Sequence, residues 1–262
     1  MKRTLIAGLP CGVPEDFKRL LSGGVVYDSS CSPEARVYYI EKDGGYYLKL
    51  AAAGSLSREK LMTDYFHSRG LGTEVIGFET VGTRDMLLTR RMRGEDLTHE
   101  MYLSNPKRLC DRLAEILREL HEMSTEGCLI TDRVSEYLAR AEANYHTDNF
   151  DKTHFPDSFG YRSADEAWRV LSEGKHLLKS SVLIHGDYCL PNVMLDGWDF
   201  SGFIDLDGAG IGERHIDLFW GAWTLGFNLG ADEYRERFFD AYGRDKVDRD
   251  TLSVVAAAEV FG

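Results

Sequence analysis

LIHGDYCLPNVML, residues 183–195, is the stretch on which the reading of this sequence turns. An apolar run stops at His185-Gly186-Asp187, holds a Pro191-Asn192 pair, and then turns apolar again. Buried polar groups cost free energy unless they find partners. These groups therefore either satisfy one another or serve chemistry. Asp187 and Asn192 stand in the D-x-x-x-x-N spacing that sets a catalytic carboxylate and a metal-binding amide on one loop. Asp205 follows in SGFIDL (201–206), beyond an Asp196-Gly197 turn expected to fold it back beside Asn192. An amide oxygen and a carboxylate are hard ligands suited to Mg²⁺. Asp187 would orient an attacking hydroxyl or accept its proton.

Upstream, RVYYIEKDGGYYLKL (36–50) reads as two strands around Asp43-Gly44-Gly45, and 25–28 as another. SLSREKLMTDYFHSRG (55–70) predicts a helix with Ser55 or Ser57 as N-cap, Gly70 past its end, and an apolar stripe of Leu61, Met62, Tyr65 and Phe66. TEVIGFETV (73–81) and DMLLTRRM (85–92) are strand-like around a Gly82-Thr83 turn. Lys49 lies on a strand, where a phosphate-binding lysine is expected, and Glu59 on the next helix is its best carboxylate partner. Alone, Lys49 would read as a surface lysine. Placed in order before Asp187, Asn192 and Asp205, it reads as part of a nucleotide site.

After Gly94 the pattern turns helical. NPKRLCDRLAEILRELHEM (105–123) puts Leu109, Leu113, Ile116, Leu117 and Leu120 on one face, with Asn105 as N-cap and Pro106 at the first position. Further helices are expected over 132–146, 163–178, 215–229, 231–242 and 248–261, with one β-like stretch at 182–206. The fold class is α+β: a small β-rich N-terminal lobe (1–92) and a larger, mainly helical C-terminal lobe (93–262), with a ligand cleft expected between them.

Bulk properties narrow the partners. The chain has 262 residues, 43% of them hydrophobic, and a net charge of −12. Residues 1–92 carry 13 Lys/Arg against 11 Asp/Glu, and the rest 18 against 32. The acidity thus belongs to the second part, which argues against nucleic acid and fits a cationic ligand. No apolar stretch is long enough for a membrane span. The opening MKRTLIAGLPCGVPEDF is cut by Pro10 and Pro14, and so reads as no signal peptide. Five cysteines without CxxC spacing point to reduced thiols and a cytoplasmic protein. Monomer and dimer stay equally open.

These residues resemble the aminoglycoside phosphotransferases, antibiotic kinases with a two-lobed protein-kinase-like fold, and among them the 3′-phosphotransferases most. The resemblance runs from about residue 25 onward and rests on HGDYCLPNVML, SGFIDL, HIDLFWG and DEYRERFFDAYG. It implies ATP (or GTP) and Mg²⁺, with Asp187 catalytic, Asn192 and Asp205 on the metal, and Lys49 and Glu59 at the phosphates. It further implies Tyr47 stacked on adenine, Ser32 at phosphate, and the backbone of Arg90 and Met92 at the adenine edge. For the acceptor, DNFD implies Asp148 and Asp151, and AAAEVFG implies Glu259, as carboxylates gripping ammonium groups. Two departures touch acceptor choice: Gly208 stands where relatives carry arginine, and Asp207 where they carry a small residue.

Rival readings are a kinase of another small alcohol (an amino alcohol or a macrolide), a nucleotide-binding module without activity, and a metal-dependent hydrolase. The last would use His185, Asp187, Asp205, Asp207, His215 and Asp217. A protein kinase is disfavoured: the glycine-rich loop is missing, and Asp205 to Asp217 is too short for an activation loop. Asp217 is expected to be buried, bracing the HGD loop, with His185 on the loop backbone. Trp220 and Trp223 are expected in the core.

Overall fold

Alternation in YYLKLAA sets up the first half of the molecule. In the computed structural model, which describes residues 3–151 and 160–262, this segment is strand β4 (Tyr46–Ala52). Tyr46, Leu48 and Leu50 are buried on one face, and Tyr47, Lys49 and Ala51 lie half-buried on the other. Around β4 stand β1 (Thr4–Ile6), β2 (Val25–Asp28), β3 (Arg36–Glu41), β5 (Val75–Val81) and β6 (Arg84–Arg90). They form one antiparallel sheet in the order β1-β2-β3-β4-β6-β5. Both expected turns are present; Asp43, Gly44 and Gly45 all take positive φ between β3 and β4.

The apolar face of the sheet packs under helix α1 (Glu15–Leu21) through Phe17 and Leu21. Neither β1 nor α1 was foreseen: β1 is only three residues long and both sit among glycines and prolines. Helix α2 (Ser57–Ser68) buries Glu59, Met62 and Phe66, while Leu61 and Tyr65 stay half-buried. Neither serine caps it. Leu56 is the N-cap, and the Ser55 hydroxyl donates instead to Ala52 O at 2.6 Å.

The chain falls into two units, 1–95 with 193–207 and 96–192 with 208–262. A division drawn once along the sequence, at 92, does not carry the return of 193–207 to the first unit. That return brings a hairpin, whose strands follow the two-residue β7 (Glu95–Asp96) and the short β8 (Val182–Ile184) in chain order. Its strands are β9 (Val193–Asp196) and β10 (Asp199–Phe203), joined at the expected Asp196-Gly197 turn. Phe203 donates its N–H to Leu71 O at 2.7 Å, and its ring meets Phe66 edge-on.

The second unit is helical. After the short α3 (Glu100–Leu103), α4 (Pro106–Glu122) buries all five expected apolar residues, each contributing about 2 kcal/mol. Asn105 precedes it without capping; its amide donates to Met101 O. The helices α5 (Arg133–Thr147), α6 (Ala164–Gly174), α7 (Arg214–Leu229), α8 (Glu233–Gly243) and α9 (Arg249–Glu259) match the expected set. Strand β8 pairs with β11 (Gly210–Gly212). The core joins α5, α6 and α9 around Tyr137, Leu171, Val255 and Phe261. Among the described residues no helix is long and apolar enough to cross a membrane.

Candidate active site

Strand β8 ends at Ile184, His185 follows, and the chain then turns at Gly186 with φ +84. A Cβ there would lie 2.1 Å from Gly208 O, so only glycine fits. The turn leaves two inward N–H groups, and α7 supplies their acceptor. Asp217, fully buried in its first turn, accepts from His185 N and Gly186 N, both at 2.7 Å. His121 lies 3.2 Å from the same carboxylate, with the Tyr242 hydroxyl on its other nitrogen at 2.8 Å. Burial pushes His121 below its ordinary range, so its ring is neutral. The expected brace is therefore present. The His185 ring accepts from Asp187 N at 3.3 Å, on the loop backbone as expected.

Asp187 and Asn192 meet. The Asn192 amide nitrogen donates to Asp187 O and to Asp187 Oδ2, both at 2.9 Å. This turns the amide oxygen the other way, as a hard oxygen donor. Cys189 lies beside Asp187, and burial together with that carboxylate holds its thiol well above the usual range.

Lys49, Glu59 and Asp205 form the second cluster, wholly within the first unit. The Lys49 ammonium lies 2.7 Å from Glu59 Oε2 and 2.8 Å from Asp205 Oδ1. Burial works against its charge, but Glu59 and Asp205 outweigh burial and hold Lys49 above the ordinary lysine range. Asp205 takes φ +60, a left-handed conformation that Asp tolerates better than most residues. Its side chain is half-exposed. Each unit thus carries a hard oxygen of the kind a divalent cation takes: the Asn192 amide oxygen in the second, and in the first the Asp205 carboxylate, which Lys49 does not wholly use.

Tyr47 shares the Lys49 face of β4. Its ring lies 5.3 Å from that of Tyr39, and its hydroxyl accepts from Arg3 at 2.9 Å. Ser32 is exposed between β2 and β3, its hydroxyl on the Glu34 carboxylate. Arg90 has backbone partners already: its N–H donates to Glu74 O at 3.0 Å, and its C=O accepts from the Thr73 hydroxyl at 2.5 Å. Met92 follows β6, its side chain against Gly202.

Asp148 caps the C-terminal end of α5 in the left-handed conformation, and Asp151 lies three residues on; both are exposed. Phe150 between them meets the Phe261 ring at 5.1 Å, which brings the DNFD segment to the end of α9. Glu259 is buried there. The Tyr137 hydroxyl donates to it at 2.8 Å, and Trp220 Nε1 at 3.1 Å. Burial pushes its carboxyl up to about 7, against the pull of Tyr137, Arg140 and Trp220. Trp220 is thus a half-buried donor as well as a core residue. Trp223 corrects the core expectation more sharply: it is half-buried and stacks on the exposed Phe227 ring at 5.1 Å.

Candidate ligands of the hydrolase reading are engaged elsewhere. His215 meets Glu213 at one ring nitrogen and Asp248 N at the other, and Arg58 grips Asp207. Among the described residues no three His, Cys, Asp or Glu side chains gather as a metal cage.

A strand lysine paired to a helix carboxylate, and a braced D-x-x-x-x-N loop on a helical unit, define a phosphotransferase of protein-kinase-like architecture. A model of the phosphotransferase enzyme family matches residues 33–254. A protein of Lactococcus lactis subsp. lactis (strain IL1403), named probable aminoglycoside 3′-phosphotransferase, is 50% identical over 249 residues, 95% of each chain. The crystal structure of an aminoglycoside-3′-phosphotransferase of type VIII superposes with a TM-score of 0.75 at 22% identity, covering 94% of this chain and 98% of that one. The APH(3″)-Id phosphotransferase of Streptomyces rimosus, solved with ADP and streptomycin, superposes with a TM-score of 0.71 at 22% identity, covering 86% of this chain and 90% of that one. These two likenesses show the shared fold. The chain belongs to the phosphotransferase enzyme family, that of the aminoglycoside phosphotransferases.

Proposed function

We propose that this protein moves the γ-phosphoryl group of ATP to a hydroxyl of an aminoglycoside, the 3′-hydroxyl first, and so inactivates the antibiotic. The carrying observation is the Lys49 ammonium held between Glu59 and Asp205. A permanently charged lysine on a strand face beside Tyr47 suits nucleotide phosphates with adenine stacked alongside. Ser32 and the backbone at Arg90 and Met92 complete the nucleotide contacts in this reading. Arg90 contributes through the remaining lone pair of its carbonyl.

Asp187 receives the acceptor. Its carboxylate, oriented by Asn192, aligns the hydroxyl and takes up its proton as the new P–O bond forms and ADP leaves with the old one. Asn192 and Asp205 would hold Mg²⁺, which offsets the phosphate charge when bound. Asp148, Asp151 and Glu259 meet the ammonium groups of the acceptor. Arg58 neutralises Asp207, which removes its charge as an objection to this acceptor class.

The test is a matched pair of acceptors, one aminoglycoside with a 3′-hydroxyl and its 3′-deoxy analogue, each incubated with protein, ATP and Mg²⁺. Mass spectrometry should find one added phosphoryl group on the first and none on the second. Phosphorylation of both would move the acceptor hydroxyl. Phosphorylation of neither, with transfer to an amino alcohol or a macrolide, would replace the substrate class.

A further inference from the structure

Asp207 had no evident partner in the sequence. In the structure Arg58 grips it with both prongs of its guanidinium, Nε to Oδ1 at 3.2 Å and Nη2 to Oδ2 at 2.8 Å. Such fork-on-carboxylate pairs fix geometry as well as charge. The positions of the partners are informative. Arg58 immediately precedes Glu59 on α2, and Asp207 follows Asp205 by two residues on one sharp turn. Two links therefore run from α2 to that turn. One goes from Glu59 through Lys49 to Asp205, and the other directly from Arg58 to Asp207.

The two links fare differently once nucleotide arrives. Phosphate oxygens compete for the Lys49 ammonium, and a divalent cation competes for the Asp205 carboxylate. Both weaken the bond between these two side chains. The Arg58–Asp207 pair takes no part in that exchange and persists. The turn needs such an anchor, because Asp205 sits at φ +60 with a half-exposed side chain. Buried Leu206 holds the turn from below, but an apolar side chain sets no direction for its neighbour's carboxylate.

We propose that Arg58 and Asp207 are positioning residues, a latch that keeps the Asp205 carboxylate aimed at the cation of a metal–nucleotide complex. The idea rests on the phosphotransferase reading, since it takes Asp205 as a metal ligand.

The test is calorimetry of ADP binding to the full chain, with and without Mg²⁺, for Arg58→Ala, Asp207→Asn, the double variant, and Arg58→Lys. Each single change should weaken Mg·ADP binding about fivefold, the scale of a well-made, half-exposed pair. Metal-free ADP binding should barely move. The double variant should be no weaker than either single one, because one interaction has been removed twice. Arg58→Lys should fall between, keeping charge but losing the fork. In turnover, KM for Mg·ATP should rise while KM for the acceptor stays put. Losses that add in the double variant, equal losses with and without Mg²⁺, or unchanged Mg·ADP binding would each overturn the latch. If the unaltered chain phosphorylates no aminoglycoside, the functional reading fails by itself, and the calorimetry still reads the pair.

Discussion

The Asp187 loop and the Lys49 cluster are held in opposite ways. The loop is fixed by neutral N–H groups on a buried acceptor: Asp217 takes two backbone donors at 2.7 Å and stands beside a neutral His121. The cluster is fixed by charge, with one ammonium shared between the buried Glu59 and the half-exposed Asp205. Buried hydrogen bonds of the first kind are costly to lose and do not rearrange. Ion pairs of the second kind can be exchanged for a ligand of like charge. In the proposed reading, one region is a fixed frame for the carboxylate that meets the acceptor. In the same reading, the other hands its partners over to phosphate and metal.

Removing the brace should give the largest effect on stability. Asp217→Ala strands the buried N–H of His185 and the half-buried N–H of Gly186, and should cost about 4 kcal/mol in chemical denaturation. Lys49→Met should cost less in the same experiment, because Glu59 can take up a proton and Asp205 already meets solvent. Its catalytic loss should instead be large, about 10²- to 10³-fold in kcat/KM for ATP. Equal stability losses in the two variants would erase the contrast between frame and exchangeable cluster.

Glu259 sharpens the comparison at a third place, where a carboxylate is buried like Asp217 but meets only side chains. Its folded pKa lies near 7, above the ordinary carboxylate range. A raised carboxylate pKa favours the protonated form in the fold. Its contribution to stability is therefore full below the ordinary range and is lost as pH rises through about 7. Glu259→Gln should remove this loss, gaining stability relative to the unaltered chain at pH 8 and not at pH 4. Acceptor affinity should run the other way. KM for a polycationic acceptor should rise as pH falls through 7 in the unaltered chain, and lie flat in Glu259→Gln. A flat profile in both would remove Glu259 from the acceptor site.

Much of this was legible because it is local. Asp187 and Asn192 sit five residues apart on one loop, so their spacing alone brings them together. Lys49 and Glu59 are a strand and a helix apart, and kinase chemistry named the pair. The alternation of β4 and the stripe of α4 wrote their own burial. What stayed hidden depends on long-range packing. Arg58 and Asp207 are far apart in sequence, and nothing local marks either as the partner of the other. Trp220, read as core filling, also donates to a carboxylate on α9. The α2 cap misled because a serine before a helix can bond backward, as Ser55 does to Ala52, as readily as forward.

The most direct measurement is phosphoryl transfer by Asp187→Ala beside its Mg·ADP affinity. Transfer to the 3′-hydroxy aminoglycoside should fall about 10²- to 10⁴-fold, with Mg·ADP bound as in the unaltered chain, because the frame and the Lys49 cluster are untouched. Turnover near that of the unaltered chain would contradict the account at its centre.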